Sequence, residues 1–568
     1  EYTKDSAMFS LNESFADMKA LSSHLHNKET YLYLGMEPVV ATNLQNPSDL
    51  YKQAEDSRVF MKKSSHSIFN AHSDSGFSSY IDNVHLNATT FWEVQINQFH
   101  QISGFDGLVI KNSGPKASCS APDSQENQSD TKCLSGKIPN KNHLPYIPDA
   151  YLQLVQDSFP LSMKHYGKST STIKNFNNIE TAIVVSHIST SLSTPGVANN
   201  THRPMIFADG YYVGGGHNSF YYDPETSGNI ETNIRKSLMH HLAGHSLAPV
   251  VACRSSGEMT VKDCFKALRA TVGMDTMIYG TTTKTSRFLT ELTADEKEAL
   301  KRIINLRYSI LVYIYSVQFS ASVDQLTTPW LPVEVEWPTA KITSSSRFTQ
   351  YLVDSTLMFA PILEENSFRT VTLPGLSDNS ERWFDFHTGK EMISADGSDD
   401  IIATEAEQET PIYLRGGRCV TSQTVTTEHS ALAMRKANLQ IHCGLDSNSL
   451  AKGSIIFDSG RYVHSVSSKL YLQTGYEITQ THNGFEITLQ VETDKYSFQH
   501  GEYSAFDGFK FSGILGKPLE VGERNGQKKA PFSPTCFTYD EVEKILTIRC
   551  DQANTALGKK RTIYWEQQ

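Results

Sequence analysis

The sequence feature that most constrains the fold is the change from helical spacing to a short apolar run around Gly104. A run with helical spacing ends near His100, a glycine turn follows, and Gly107–Ile110 is apolar enough for a buried strand. Gly114 and Pro115 then break the chain again. Helix, strand and loop in this order are typical of a (β/α)8 barrel, which places its chemistry on the loops that follow the strands. The pattern predicts that residues 111–115 form such a loop.

Length and charge exclude several classes of protein. With 568 residues, 39% of them hydrophobic, the chain can bury large cores, and its length suggests roughly two to four domains. A formal net charge of −11 without a basic block argues against nucleic acid or an anionic membrane surface as a partner. The most apolar helical stretch, 303–323, is interrupted by polar residues. We therefore predict a buried amphipathic helix there and not a membrane span.

The cysteines indicate an oxidising environment. All eight fall into local pairs, none forms C-x-x-C, and no histidine lies at zinc-finger spacing, so disulfides are favoured and we expect no metal or other cofactor. The predicted pairs are Cys119/Cys133, Cys253/Cys264, Cys419/Cys443 and Cys536/Cys550. Four N-glycosylation sequons begin at Asn12, Asn87, Asn127 and Asn199. Together these features favour a secreted, extracellular protein or one lumenal in the secretory or lysosomal route.

Residues 106–115 resemble a family signature. Glycoside hydrolase family 31, the α-glucosidase and maltase group, carries D-G-x-W-I-D-M-N-E-P there, and the Asp in the middle is its nucleophile. Aligned without a gap, that Asp falls on Lys111 and the Trp on Val109. Further motifs of the family match at 82–92, 253–264 and 357–417. The frame of the signature is therefore present, and its nucleophile is not.

The resemblance implies a fold. It implies an α/β (β/α)8 TIM barrel at residues 1–340, followed by two β-sandwich-like domains at 341–417 and 418–568, with Leu331–Pro338 as the last barrel strand. Glu1 corresponds to a point inside the family's barrel, so the first barrel strands would be absent from this chain. Unpaired strand edges associate readily. We therefore expect the amino-terminal fragment of the same precursor, or other chains of an extracellular assembly, to complete the barrel.

The resemblance also implies an altered active site. A retaining glycosidase uses two carboxyl groups about 5–5.5 Å apart, and Lys111 cannot supply one of them. The family's acid/base motif falls on 222–225 with a register uncertain by one residue, so Glu225 or Asp223 could hold the acid position, or the segment is an ordinary turn and helix start. A Schiff-base role for Lys111 would require burial and a depressed pKa, and nothing in the neighbouring sequence supports it.

Other positions of the family's sugar pocket have also changed. Glu37 replaces a shorter carboxylate, Asp74 and its neighbours replace a W-P-G motif, and Val251 stands where the family has an Asp. The loss of an indole removes stacking surface for a sugar ring. The residues that could still contact a glycan are Glu37, Asp74, Tyr221 and Tyr222, with Phe220 beside them.

Three functional hypotheses follow. The leading one is a catalytically inactive family 31 protein, a secreted glycoprotein used for binding or assembly, with carbohydrate as one class of ligand. The second is an active α-glucosidase-type retaining glycosidase with relocated carboxylates such as Glu37 and Glu225. The third is a purely structural subunit of an extracellular assembly. The first differs from the second in turnover of an aryl α-glucoside, and from the third in glycan binding.

The sequons yield a first testable prediction. When the protein is produced in a eukaryotic secretory pathway, treatment with peptide N-glycosidase should lower its mass on a denaturing gel. A variant with all four asparagines changed to glutamine should migrate like the treated protein. Identical migration of untreated and treated wild-type protein would contradict N-glycosylation at these sequons.

Overall fold

The computed structural model of the protein describes part of the chain. The described residues are 8–28, 30–42, 48–60, 62–64, 67–68, 70–73, 76–82, 85–111, 205–208, 220–221, 229–253, 259–279, 292–324, 328–343, 347–363, 368–404, 410–426, 431–460, 462, 464–496 and 505–567. Their contacts separate the chain into two compact units. The first unit is Glu1–Glu225 with Ala243–Leu247, and the second is Thr226–Leu242 with Ala248–Gln568.

The first unit is built on a parallel sheet. Its helices are α1 (Met18–His26), α2 (Asp49–Asp56) and α3 (Ala88–Ser103), and its strands are β1 (Tyr33–Met36), β2 (Val39–Ala41), β3 (Lys62–Ser64), β4 (Ser67–Ile68), β5 (Asn70–Ser73), β6 (Gly76–Tyr80), β7 (Gly107–Ile110), β8 (Met205–Ala208) and β9 (Phe220–Tyr221). The parallel sheet has the strand order β1-β7-β8-β9. An antiparallel sheet, β2-β6-β5, and the pair β3-β4 complete the described strands of this unit.

The predicted helix, turn and strand around Gly104 are confirmed. Helix α3 ends at Ser103, and Gly104 caps it in the left-handed region at φ 66°, where a residue without Cβ is not strained. The buried residues of α3 include Trp92 and Ile96, and they belong to one apolar cluster with Leu108 and Ile110 of β7. Strand β7 is therefore held against α3 by every second side chain.

The second unit contains the remaining described helices and strands. Its helices are α4 (Ile230–Leu242), α5 (Val261–Ala270), α6 (Ala294–Asp324), α7 (Val333–Glu336) and α8 (Ala431–Arg435). Its strands are β10 (Val250–Ala252), β11 (Met277–Tyr279), β12 (Trp330–Pro332), β13 (Tyr351–Val353), β14 (Leu357–Phe359), β15 (Phe368–Thr372), β16 (Trp383–Asp385), β17 (Asp400–Thr404), β18 (Ile412–Arg415), β19 (Arg418–Gln423), β20 (Leu439–Gly444), β21 (Ala451–Asp458), β22 (Tyr471–Thr481), β23 (Gly484–Asp494), β24 (Ala505–Ser512), β25 (Pro518–Asn525), β26 (Lys528–Pro531), β27 (Phe537–Asp540), β28 (Ile545–Ile548), β29 (Thr555–Ala556) and β30 (Arg561–Gln567).

The sheets of the second unit change character along the chain. Strands β10 and β11 pair in parallel, as in a barrel. They are followed by an antiparallel sheet with the order β12-β13-β14-β18-β16 and by the pair β15-β17. From Arg418 onward the strands form one long sheet in the order β26-β25-β30-β23-β22-β21-β19-β20-β24-β28-β27, with β29 beside β24. The chain thus passes from parallel α/β structure to β structure that is largely antiparallel.

The prediction that Leu331–Pro338 forms the last barrel strand is wrong. Trp330–Pro332 is a strand, but it pairs antiparallel with β13 and belongs to the sheet that follows the barrel. The next residues, Val333–Glu336, form a one-turn helix preceded by Pro332. The prediction rested on the resemblance of these residues to a family motif. Proline, however, presets a φ suited to a helix start, and only Val333 of this turn is buried.

Three of the four predicted cysteine pairs form disulfides in the structure. The bonds join Cys253 to Cys264, Cys419 to Cys443 and Cys536 to Cys550. The second links directly paired residues of β19 and β20. The fourth pair, Cys119 and Cys133, lies outside the described residues.

The predicted helix at 303–323 forms the greater part of α6. It is buried on more than one side, since no residue from Ile303 to Ala321 is exposed. Ile310 and Ile314 belong to the apolar core that contains β10 and β14, whereas Val312 belongs to the core of the long sheet. Within the part of the chain that the structure describes, no helix is long and apolar enough to cross a membrane.

A buried ionic network fixes α6 to the chain before β11. The Arg307 guanidinium, 7% exposed, donates hydrogen bonds to the carbonyl oxygens of Val272 (2.8 Å), Met274 and Asp275 (2.7 Å). The Asp275 carboxylate accepts hydrogen bonds from the backbone N–H groups of Ala248 and Thr276. Burial raises the pKa of Asp275 to about 7, although these donors and the Arg307 charge oppose the shift.

This network predicts a pH-dependent stability. Because the folded-state pKa of Asp275 is raised, the stability that this group contributes is complete at low pH and is lost as the pH rises through about 7. Arg307→Met removes the nearby positive charge and leaves carbonyl oxygens without their donor. We expect it to lower the free energy of unfolding by about 3–5 kcal/mol. The loss should be larger near pH 8 than near pH 5.

Urea unfolding at the two pH values checks this prediction. Lys301→Met, an exposed substitution on the same helix, is the matched control and should change the free energy of unfolding by less than about 0.5 kcal/mol. Equal effects of the two substitutions would contradict the structural role of Arg307.

Candidate active site at the strand ends

The parallel register of β1 and β7 brings two predicted site residues to one edge of the sheet. Tyr33 is paired with Gly107 and Met36 with Ile110, and the N–H of Lys111 donates to the carbonyl oxygen of Met36 at 2.8 Å. Glu37 and Lys111 are therefore the residues that directly follow two neighbouring strands. This is the carboxyl-terminal edge, where barrel enzymes place their catalytic groups.

The Lys111 side chain lies on the face of the sheet that points away from α3. Leu108 and Ile110 pack with α3, and side chains alternate along a strand, so Val109 and Lys111 belong to the opposite face. A Cβ atom built on Gly35 would lie 3.6 Å from both Cε and Nζ of Lys111. The half-buried amine thus extends across the end of β1, over a residue that has no side chain.

No described carboxylate neutralises this amine. Among the residues that the structure describes, none forms an ion pair with Lys111 within 4.0 Å, and this includes the adjacent Glu37. The residues that directly follow β8 and β9, Asp209 and Tyr222, lie outside the described residues. The described part of the edge therefore presents one amine and one carboxylate, without a pair of carboxylates.

At the other end of β7, Asp106 has a structural role. Its carboxylate accepts a hydrogen bond from the N–H of Leu32 at 2.7 Å, and Nε2 of His26 lies 2.9 Å from both of its oxygens. Asp106 thus ties the amino-terminal end of β7 to α1 and to the start of β1. Sequence reasoning matched Asp106 to the signature but missed these partners, because more than seventy residues separate them from it along the chain.

Several predicted site residues lie outside the part of the chain that the structure describes. Glu225, Asp223, Asp74 and Tyr222 lie outside the described residues, as do Asn127 and Asn199. Tyr221 is described as part of β9, opposite Ala208. Its neighbour Phe220 packs its ring against that of Phe207, with 5.5 Å between the centroids. The structure therefore does not test the predicted acid/base group.

The two described sequon asparagines lie next to helices. Asn12 accepts a hydrogen bond from the N–H of Ser14 through its side chain, just before a 3-10 helix at Glu13–Phe15. Asn87 precedes α3, is exposed, and donates a hydrogen bond to the carbonyl oxygen of Ser57 at 2.8 Å. Both positions are compatible with surface loops.

The described residues at the end of β10, Val250–Cys253, are apolar. Val251 is 3% exposed and lies in the apolar interior, and Cys253, directly after the strand, is bonded to Cys264 of α5. The resemblance puts an Asp of the sugar pocket at Val251. The described residues of this strand end thus include the disulfide and have no charged side chain.

Comparison with known proteins identifies the family to which the barrel belongs. The TIM-barrel domain of glycosyl hydrolases family 31 matches residues 1–317, and the C-terminal domain of the same family matches residues 327–420. The chain belongs to glycoside hydrolase family 31. Its fold is accordingly a (β/α)8 barrel followed by the C-terminal β domains of that family, and β1, β7, β8 and β9 are barrel strands.

The family 31 relatives are longer than this chain. Intestinal sucrase-isomaltase of Rattus norvegicus is 22% identical over 597 residues, which cover 98% of this chain and 29% of the relative. An α-glucosidase of Mucor javanicus is 21% identical, covering 83% of this chain and 57% of the relative. In the crystal structure of the ER glucosidase II heterodimeric complex, of a catalytic subunit with the binding domain of a regulatory subunit, the matching chain has a TM-score of 0.74 at 14% identity, covering 100% of this chain and 57% of that chain.

The contacts of Asp106 predict that it supports the fold of this family 31 barrel. Asp106→Ala should lower the free energy of unfolding by about 1–3 kcal/mol, because the N–H of Leu32 then lacks its acceptor. Asp17→Ala is the matched control, since Asp17 is exposed and its side chain makes no capping hydrogen bond. Chemical denaturation measures both variants. An Asp106→Ala variant as stable as Asp17→Ala would refute the assignment.

Proposed function

We propose that the chain is a catalytically inactive family 31 protein, a secreted or lumenal glycoprotein that acts as a binding or assembly scaffold, with carbohydrate as one class of ligand. The observation that carries the proposal is the amine of Lys111 at the carboxyl-terminal end of β7. In the gapless frame of the family signature this is the position of the nucleophile.

An amine at this position fails in two ways. It cannot form the glycosyl ester of a retaining mechanism, which requires a carboxylate. As an ammonium it also repels the positive charge that develops on the sugar in the transition state. Loss of a nucleophile lowers rates by several orders of magnitude, and the other groups at the site cannot compensate for it.

The surroundings of Lys111 support the same proposal. A catalytic lysine of the Schiff-base type is normally desolvated, so that part of it is uncharged near neutral pH. Lys111 is only half-buried. Glu37, the described carboxylate at the neighbouring strand end, would need a second carboxyl group about 5–5.5 Å away, and Lys111 and Val251 stand at two positions where the resemblance has acids.

Location and partners form part of the proposal. Disulfides and sequons support a route through an oxidising compartment, and one structural neighbour is a complex of ER glucosidase II. We propose that the scaffold binds another chain of an extracellular assembly. Co-purification of such a chain under native conditions would support this.

A trapping experiment tests inactivity. The purified protein is incubated with an activated fluoroglucoside that accumulates as a glycosyl ester on a carboxylate nucleophile, and its intact mass is measured. We expect no mass increase, and no release of chromophore from an aryl α-glucoside above the rate in buffer, because Lys111 cannot form the ester. An active family 31 α-glucosidase treated in parallel is the positive control.

Three variants help to interpret the result. Lys111→Asp restores the carboxylate and is expected to remain inactive, because other pocket positions have also changed. A labelled wild-type protein, or turnover that Glu225→Gln or Glu37→Gln abolishes, would overturn the proposal. Such a result would establish the alternative, an active retaining glycosidase with relocated carboxylates.

A further inference from the structure

A polar cavity of about 730 Å³ lies within the second unit, in a part of the chain to which the proposed function assigns no role. One wall is α6 at Tyr313–Ser320, and another is the hairpin between β13 and β14 at Asp354. The third wall is formed by β21, β22 and β23 of the long sheet. Its volume lies within the range of about 300–1,000 Å³ that is typical of ligand pockets.

Charged and amide side chains line this cavity and make no hydrogen bonds to one another, although the Arg418 charge acts on the Asp354 carboxylate. Six of them make neither a hydrogen bond nor an ion pair within 4.0 Å with any described residue: Asp354, Arg418, Lys452, Gln473, Glu477 and Glu492. Lys452 and Glu477 are direct cross-strand partners and still do not pair. Oppositely charged cross-strand neighbours usually attract each other. These groups are thus available to a molecule in the cavity.

The alternation of side chains along β22 and a glycine in that strand place these groups on the cavity side of the sheet. Gln473, Gly475 and Glu477 alternate along β22 and therefore share one face of the sheet. A Cβ atom on Gly475 would lie 2.2 Å from Oε1 of Glu492, so the glycine leaves the space in which the Glu492 carboxylate lies. At the opposite wall, Asp354 occupies the left-handed region at φ 55° in a short hairpin, where Val353 pairs with Leu357. Aspartate tolerates this conformation better than most residues.

We propose that the cavity binds a neutral polyhydroxylated ligand, a saccharide. The five charged groups sum to −1, so neither a polyanion nor a polycation gains much attraction. Each hydroxyl group both donates and accepts a hydrogen bond, and can therefore satisfy the carboxylates as well as the Arg418 guanidinium and the Lys452 ammonium. A saccharide would replace the water around these groups bond for bond.

The site is independent of catalysis in the barrel. Its residues lie on α6 and on strands that follow residue 350, and Lys111 is not among those that line it. A protein that turned over glycosides would have this cavity as well. The proposal therefore stands or fails separately from the proposed inactivity.

Ligand-observed NMR with defined probes tests the proposal. Neutral trisaccharides of glucose, of mannose and of N-acetylglucosamine are compared at millimolar concentration with sodium phosphate and spermidine. We expect at least one trisaccharide to bind, and neither phosphate nor spermidine to bind or compete. Gln473→Ala and Arg418→Met should each weaken the binding by about tenfold or more, which corresponds to about 1.4 kcal/mol.

Matched variants locate the binding site. Gln480→Ala, an exposed change on the same strand, should bind like wild type. If Arg418→Met loses its thermal unfolding transition, Lys452→Met is used in its place, because Lys452 is exposed. The proposal is overturned if no trisaccharide binds, if phosphate or spermidine binds instead, or if a trisaccharide binds the cavity variants as tightly as wild type.

Discussion

The candidate site depends on the parallel register between β1 and β7. Met36 opposite Ile110, with the hydrogen bond from the N–H of Lys111 to the carbonyl oxygen of Met36, decides which residue stands at the end of the strand. Side chains alternate, so a shift of one residue would turn Lys111 against α3 and expose Ile110. That shift would remove Ile110 from the apolar cluster formed with α3. The packing of β7 thus fixes an amine at the edge where this family carries out its chemistry.

The helix, turn and strand around Gly104 could be predicted because the residues that determine them are neighbours in the sequence. The glycine after α3 ends the helix, and the apolar run that follows has the length of a strand. Local cysteine pairs likewise form within short stretches of chain. The prediction for Leu331–Pro338 was wrong because a match to a family motif does not say which strand the segment pairs with. Pro332 precedes a helical turn, and the strand that ends there joins an antiparallel sheet. The partner of a strand is a tertiary property that its own sequence does not contain.

The surroundings of Lys111 likewise depend on residues that are distant in the sequence. A gapless frame could place Lys111 at a strand end, but the space that its amine occupies is provided by Gly35 on another strand. The cavity in the second unit was not predicted at all. Its lining comes from α6, a hairpin and several strands, so no stretch of the sequence carries the pattern. Lys111 and Gly35 at the strand ends, like the residues that line the cavity, become neighbours only after folding.

Charged groups that bond to the backbone and the acids that the resemblance puts at the strand ends differ in how much they contribute to stability. Arg307, Asp275 and Asp106 bond to backbone groups that would otherwise be buried without partners, so their loss destabilises the fold. A carboxylate at a strand end of the barrel mouth contributes to chemistry and adds little to folding, and there the chain has Lys111 and Val251. A scaffold can lose such acids without unfolding. The charges that line the cavity of the second unit also add little to folding, so the stability of the fold does not depend on whether they bind a ligand.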